Sequence, residues 1–375
     1  MKYIHQRKDW PNWRWDAAVV AGPLAELSLA LGKFVGRLSS LGFAVQQDAV
    51  HEMLSTEILE SAAIEGERLN REDVRSSVAK RMELVLSAPA AATTHATEAR
   101  VDMLLDATRR WREPMTLQRL CAWHAALFPT GYSGVTQIAV ARLRDDEQGA
   151  MQVISRHGML ERVHFTAPTA AVLPGEMARF LAWVNDEASD MPWLVKTALA
   201  HLWFLTLHPF DDGNGRLARA LTEYLLAKGE QSELRFYSLS AQIQQEKPDY
   251  YNELERAQRG EMDVTRWVAW FLGCHLRAIQ SAEARLAGVL AKADFWREYA
   301  QAPFTATQRK IINLLFDGFE GHLTTSKWAK ICKVSQDTAL REISALVAQG
   351  VLQQVGQGRS THYVLCSAGE VPAKG

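Results

Sequence analysis

The sequence predicts a mainly α-helical protein: a helical bundle bearing one small β-hairpin, followed by a C-terminal winged helix-turn-helix. Three observations carry this. Apolar residues recur at a helical period over long stretches, strand-like segments are few, and residues 303–366 pass through helix and hairpin signals in the order such a module requires. At 375 residues the chain is too long for one small core, and two or three domains are expected. Hydrophobic residues make up 47% and charged residues 23%, ordinary proportions for a soluble globular protein. No apolar run is expected to reach the roughly 18 residues of a membrane helix, and the N-terminus lacks a signal-peptide core. Four scattered cysteines, Cys121, Cys274, Cys332 and Cys366, form no CxxC pair. They read as reduced thiols of a cytoplasmic protein, without a metal or disulfide role. A net charge of −1 makes the whole molecule no electrostatic magnet for nucleic acid.

The elements follow in order. Trp10, Trp13 and Trp15 cluster around Pro11; they are expected to anchor the N-terminus on the helical body, with a binding surface as the alternative. Residues 46–64 place Val50, Met53, Leu54, Ile58, Leu59, Ala62 and Ile64 near a 3.6-residue period, hence a helix. Residues 87–94 read as a loop. A helix starts after Pro114, with Leu117, Leu120, Cys121, Trp123, Leu127 and Phe128 as its apolar positions, and breaks at Pro129 and Gly131. Val153 with Ile154, and Val163 with His164 and Phe165, flank a polar tip at Gly158 and predict a hairpin. Residues 194–207 are strongly apolar and stop at His208-Pro209. A further helix over 216–226 ends at Lys228-Gly229.

Between those last two helices runs His-Pro-Phe-Asp-Asp-Gly-Asn-Gly-Arg-Leu-Ala-Arg, His208 to Arg219. It supplies a proton acceptor (His208), a metal-seeking carboxylate (Asp212), two glycines flanking an amide (Gly213, Asn214, Gly215) and two arginines (Arg216, Arg219). Alternate glycines let backbone N–H groups turn toward an anion, and a helix starting there adds its positive end. A base, a carboxylate, a nest and a guanidinium together describe a phosphate-handling active site. The run resembles the His-Pro-Phe-x-Asp/Glu-Gly-Asn-Gly-Arg-x-x-Arg signature of Fic-domain proteins, most of which transfer AMP from ATP to protein hydroxyls. Ser61-Ala-Ala-Ile-Glu65-Gly66 resembles that family's inhibitory motif, here ahead of the core as in class II members. The N-terminal tryptophans are similar to a domain of unassigned role found in one bacterial subgroup.

The resemblance implies a Fic-type helical bundle and a set of roles. His208 is the general base toward a Tyr, Thr or Ser hydroxyl, and Asp212 holds Mg²⁺ against the α- and β-phosphates of ATP. Backbone N–H groups around Gly213 and Gly215 form an anion hole, and Asn214 fixes the α-phosphate. Arg216 clamps the β-phosphate. Arg219 takes the γ-phosphate when free and Glu65 when inhibited, with Ser61 and Gly66 completing the inhibitory motif. Tyr250 or Tyr251 stacks on adenine, or packs in the core. The hairpin residues Val153, Ile154, Val163, His164 and Phe165 correspond to the flap that docks a target segment by strand addition; the alternative is a purely structural hairpin. Phosphorylating relatives carry Lys at the position of Gly215 and Ala at that of Gly213, so both glycines here favour AMP transfer.

At the C-terminus, Ser335 caps a predicted third helix, and 351–355 with 361–365 form the wing. Residues 303–366 carry seven Lys and Arg against four Asp and Glu, net +3. Thr338, Arg341 and Arg359 would face DNA if this module reads it, while protein docking or dimerisation is equally expected. The expected domains are 1–95, 96–300, 301–366 and a frayed tail, 367–375. The expected activity is AMP transfer to a target protein or to the protein itself, held off by Glu65; two other functions stay open: a nucleotide-sensing, DNA-binding regulator, and an enzyme that removes AMP with the same site. The expected partners are a target protein and, through the C-terminal module, DNA; a homodimer is possible, and no membrane is expected.

Overall fold

The computed structural model describes residues 2–83 except 40, residues 94–316 except 148, 158 and 159, residue 319, and residues 321–366. The loop expected at 87–94 lies outside the described residues apart from Thr94, as does the tail at 367–375. The chain forms two compact units, Met1–Ala282 and Glu283–Gly375, so the first 95 residues share a unit with the helices that follow. The first unit runs through α1 (Ala17–Ser39), α2 (Phe43–Ile64), α3 (Arg71–Arg81), α4 (His95–Arg109) and α5 (Leu117–Leu127). Two short ladders follow, β1 (Tyr132–Ser133) with β2 (Thr136–Gln137), and β3 (Gln152–His157) with β4 (Leu160–Thr166). Then come α6 (Leu173–Asn185), α7 (Trp193–Leu207), α8 (Asn214–Glu230), α9 (Leu239–Gln245), α10 (Lys247–Gln258) and α11 (Thr265–Glu298), within which the unit boundary falls.

The two helices on either side of the signature are the core of this unit. Every residue of α7 from Leu194 to Leu207 is buried except Lys196, and α8 is buried from Arg216 to Ala227. A continuous apolar run therefore means burial on all sides here, where an amphipathic stripe would mean a surface helix. Because α8 also carries Arg216, Arg219 and Glu223 inward, its buried charges need partners, and those partners define the site. α2 packs against α3, α4, α8 and α9. Its Glu57, buried, accepts hydrogen bonds from Ser238 Oγ at 2.7 Å and Ser240 N–H at 3.1 Å, at the N-terminus of α9. That contact seats α2 on the core one turn before Ser61.

Two of the three N-terminal tryptophans pack inward. Trp10 and Trp13 each meet the Trp203 ring at 5.9 Å, and Trp10 Nε1 donates to Glu176 at 2.9 Å. Contrary to the sequence expectation, α1 is long and apolar enough to cross a bilayer by length and composition. Alanine, valine and glycine between its leucines lengthen the apolar stretch without a run of large residues. Val20, Leu27, Leu31, Phe34 and Leu38 recur at helical spacing and are the buried stripe of this helix.

The second unit is a winged helix: the end of α11, then α12 (Ala306–Phe316), α13 (Thr325–Cys332), α14 (Gln336–Ala348) and the hairpin β5 (Leu352–Val355) with β6 (His362–Leu365). Ser335 Oγ accepts from Thr338 N–H at 3.2 Å as the cap of α14. Ile311, Ile312, Leu323, Trp328, Ile343, Leu346 and Val351 form its core.

Buried imidazoles set an acid limit on the first unit. Burial lowers His201 and His275 to about 3, well below the ordinary 6.5. Unfolded, both would bind protons below about 6.5; folded, they do not until near 3. Stability is therefore full above that range and falls with pH through it, each histidine removing up to about 1.4 kcal/mol per pH unit. Chemical denaturation midpoints should drop steeply between pH 6 and 4, and His275→Phe should flatten the slope. An unchanged slope in that variant would sink this account.

Candidate active site

The run from His208 to Gly213 is held in shape by neighbours that the sequence keeps far away. His208 ends α7 in the left-handed region (φ 49°), its N–H still donating to Phe204 O at 3.0 Å. Arg144, buried, donates from Nε to His208 O at 2.8 Å, and its backbone N–H donates to Pro209 O at 3.0 Å. Phe210 is fully buried and stacks on the His124 ring at 4.4 Å. Ala141 N–H donates to His124 Nδ1 at 3.2 Å, which leaves Nε2 protonated to donate to Asp212 O at 3.2 Å. Asp211 accepts from Ala139 N–H at 2.7 Å. Gly213 begins α8 with φ 79°, and a Cβ there would lie 2.8 Å from the Phe128 ring, so only glycine fits.

Asn214 staples this loop. Its Oδ1 accepts from Phe210 N–H at 3.0 Å, its Nδ2 donates to Phe210 O at 2.7 Å, and the side chain is buried. The structure thus gives it a stapling job; it also lines the cavity, and Nδ2 carries a second hydrogen, so the staple leaves the α-phosphate contact that the resemblance implies open. Asn214→Ala would orphan both backbone groups and should cost about 2–3 kcal/mol, read as a lower denaturation midpoint. A change under about 0.5 kcal/mol would show the loop needs no staple.

His208 lines a cavity of about 700 Å³. Its Nδ1 lies 3.4 Å from Leu205 O, so Nε2 is the nitrogen left to accept a proton, and burial lowers the imidazole to about 4. Asp212, on the same wall, accepts from Ser133 Oγ and Gly213 N–H and lies 3.7 Å from Arg216 Nη2. Its side chain is 44% exposed. One open carboxylate beside an anion seat suits Mg²⁺, which keeps waters and shares its shell with substrate phosphates. Among the described residues no three His, Cys, Asp or Glu gather into an all-protein metal cage.

The anion seat at the start of α8 is filled by carboxylates from the turn after α2. Arg219 Nη2 donates to Glu65 Oε1 at 2.8 Å and to Ser61 O at 2.9 Å, and Nε donates to Ser61 Oγ at 2.8 Å. A Cβ on Gly215 would lie 2.1 Å from Glu65 Oε1, so the carboxylate rests directly on the first turn of the helix. Gly66 makes the turn at φ 80° and delivers Glu67, which sequence reasoning missed. Glu67 Oε1 accepts from Arg216 Nη1 at 2.5 Å, and Oε2 from Arg100 Nη2 at 2.7 Å. Both signature arginines are thereby neutralised by one short segment. Arg216 Nε and Arg219 Nη1 stay buried without a hydrogen-bond partner, donors in excess of what two carboxylates use.

The remaining predicted residues divide. Tyr251 is 39% exposed at the cavity, while Tyr250 is buried. Thr222 Oγ1 spends its proton on Ala218 O, so His201 Nδ1–H donates to Thr222 at 2.8 Å and Tyr250 donates to His201 Nε2 at 2.9 Å. Tyr250 is thus a core strut between α7 and α10. In the hairpin, Val153 pairs with Phe165 and Ile154 with Val163 across a bulge. Ile154 points outward, but Phe165 is buried against the Tyr3 and His5 rings at 5.0 and 5.7 Å, so it anchors the N-terminus and is closed to a docking segment. Arg259 donates to the carbonyls of Val163 and His164 at 2.7 and 2.8 Å, which engages β4 and leaves β3 as the open edge. In the second unit Arg341 is exposed and Thr338 half-buried on α14; the side chain of Arg359 lies outside the described residues.

Comparison with known proteins agrees with this geometry. Residues 114–226 match the Fic/DOC family, residues 3–84 a domain of unknown function (DUF4172), and residues 316–366 the C-terminal domain of a DIP2311-like transcriptional regulator. Among curated proteins, the protein adenylyltransferase Fic of Culex quinquefasciatus is 33% identical over 104 residues, 28% of this chain and 19% of that protein. The Drosophila melanogaster protein of the same name is 34% identical over 106 residues, 27% and 20% of the two chains. The likeness thus spans about a fifth of those relatives. A Fic family protein from Desulfovibrio desulfuricans shares the fold over 94% of this chain and 97% of its own, with a TM-score of 0.54 at 21% identity. A Fic domain containing signaling protein from Bacteroides thetaiotaomicron does so over 68% and 95%, with a TM-score of 0.52 at 18% identity. Residues 114–226 are a Fic domain related to those of adenylyltransferases, and a small additional domain lies toward the C-terminal end of the chain.

Proposed function

We propose that this chain transfers AMP from ATP to a Tyr, Thr or Ser hydroxyl of a protein and that the state described is the inhibited one. The observation that carries this reading is the seat of Glu65: a carboxylate lying on the first turn of α8 and bonded to Arg219, where a phosphate would be bound. With Glu65 withdrawn, the backbone around Gly213 and Gly215 and the free faces of Arg216 and Arg219 can hold a triphosphate. His208 Nε2, kept neutral, accepts the hydroxyl proton as its oxygen attacks the α-phosphate and pyrophosphate departs. Mg²⁺ held by Asp212 would offset the charge building on the leaving pyrophosphate. Tyr251, part-exposed on the cavity wall, would meet the base, and β3, the edge that Arg259 does not engage, would receive a target strand.

The test is transfer of label from the α-phosphate of ATP with Mg²⁺ to the protein and to a cell lysate. It compares the wild-type protein with Glu65→Gly and with Glu65→Gly/His208→Ala. Label in the single variant alone supports the reading; folded protein that binds ATP but labels nothing in any form removes it. Removal of AMP by the same site would show instead as loss of label from a pre-modified protein, requiring Glu65.

A second reading rests on the match of residues 316–366 to a transcriptional regulator's C-terminal domain: the winged helix binds DNA and the Fic domain reports nucleotide. Exposed Arg341 on α14 is its best-placed contact. Non-specific duplex affinity that falls steeply with salt, and weakens in Arg341→Ala, would support it. A flat salt response would count against DNA and for a protein partner.

A further inference from the structure

The hairpin holds a nucleophile–base–carboxylate chain that the reaction above does not use. Ser155 Oγ lies 2.7 Å from His164 Nε2, and His164 Nδ1 lies 2.6 Å from Glu255 Oε2 on α10. A carboxylate can only accept, so Nδ1 carries the hydrogen, and neutral His164 then accepts the Ser155 proton at Nε2. Arg162 and Arg259 reach Glu255 at 3.0 and 3.2 Å. Burial works against the charge on Glu255, but hydrogen bonds from His164 and Arg162 outweigh it and hold the carboxyl below its usual range. This is the arrangement that activates a serine: base within reach, base oriented by a third group. All three residues line the same cavity as His208 and Asp212.

A simple tether does not require this. Arg259 already fastens the hairpin through two backbone carbonyls, and Arg162 already reaches Glu255. The serine adds no further anchor to α10; what the chain adds is a polarised hydroxyl facing the cavity. We infer that Ser155 is an activated acceptor in its own right, a site at which the protein takes up AMP from ATP bound in its own cavity. The inference rests on the AMP-transfer reading. As Ser155 Oγ bonds to the α-phosphorus, its proton passes to His164 Nε2 and the bond from phosphorus to the bridging oxygen breaks. Pyrophosphate leaves with the electron pair, and His164 returns the proton to water. An AMP ester on β3 would occupy the open edge and the cavity at once, so the modified protein would be blocked toward targets.

Two measurements separate the parts. The first omits ATP: a fluorophosphonate probe should label Ser155 at least about a hundredfold faster than in His164→Gln, the low end of the range for base assistance. Equal rates overturn the activated serine and leave a structural chain. The second uses Glu65→Gly with ATP and Mg²⁺, mapping modified peptides. AMP on the 152–166 segment, lost in Ser155→Ala while lysate proteins are still labelled and regained in Ser155→Thr, supports the proposal. Self-label found only elsewhere, or unchanged in Ser155→Ala, overturns it. Fluorophosphonate on Ser155 with no AMP transferred to any protein would instead sink the AMP-transfer reading, and the modification with it.

Discussion

Glu65→Gly is expected to raise AMP transfer by about two orders of magnitude. The carboxylate occupies the helix N-terminus and one guanidinium donor of Arg219 in a largely buried setting. A charge-assisted contact of that kind contributes about 1.5–3 kcal/mol, and each 1.4 kcal/mol is tenfold in occupancy. The upper end applies because Arg219 is 3% exposed and Ser61 accepts from its Nε and Nη2, which fixes the guanidinium in place. Glu67→Gln should act in the same direction by less, since it is Glu65 that lies against Gly215 on the first turn of α8, while Glu67 bonds only to Arg216 and Arg100. Initial rates of label transfer for the two variants check the order. Equal activity of wild-type and Glu65→Gly would mean that Glu65 is not what holds the site closed.

Within the Glu65→Gly background, His208→Ala should lower transfer by about 10² to 10⁴, the range of a positioned general base. The pH profile carries a second, more specific expectation. Burial lowers His208 to about 4, so its acceptor nitrogen is free from neutral pH down to near that value. The sign follows directly: protonation removes the base, and depressed affinity for the proton postpones the loss to lower pH. The rate should therefore hold from pH 8 to about 5 and fail only below, in contrast to the fall near 6.5 of an ordinary imidazole. Because the buried histidines destabilise the fold over the same acid range, the profile needs a folded-fraction control by circular dichroism. A rate that halves near pH 6.5 in folded protein would show that His208 is hydrated in the active state.

The run from His208 to Arg219 could be picked out of the chain because the chemistry it suggests is local. A base, two glycines and the first turn of a helix must be neighbours in sequence to be neighbours in space. Helices α7 and α8, the hairpin of β3 with β4 and the order of elements in the winged helix were legible for a related reason: period and capping are short-range properties. What tertiary structure decided is everything whose partner lies across the bundle. Asn214 reads in the sequence as an amide between two glycines, and only the fold shows that it staples both backbone groups of Phe210. Glu67 reads as one more acidic residue after a glycine until Gly66 turns it onto Arg216 and Arg100. His124 and Arg144 carry no motif, yet they hold the carbonyls of Asp212 and His208. Ser155, His164 and Glu255 are spread over a hundred positions and meet only because a bulged hairpin lies on α10. A side chain's type is written at its position, but which of its possible partners it satisfies depends on which buried groups would otherwise be left unpaired, and only packing settles that.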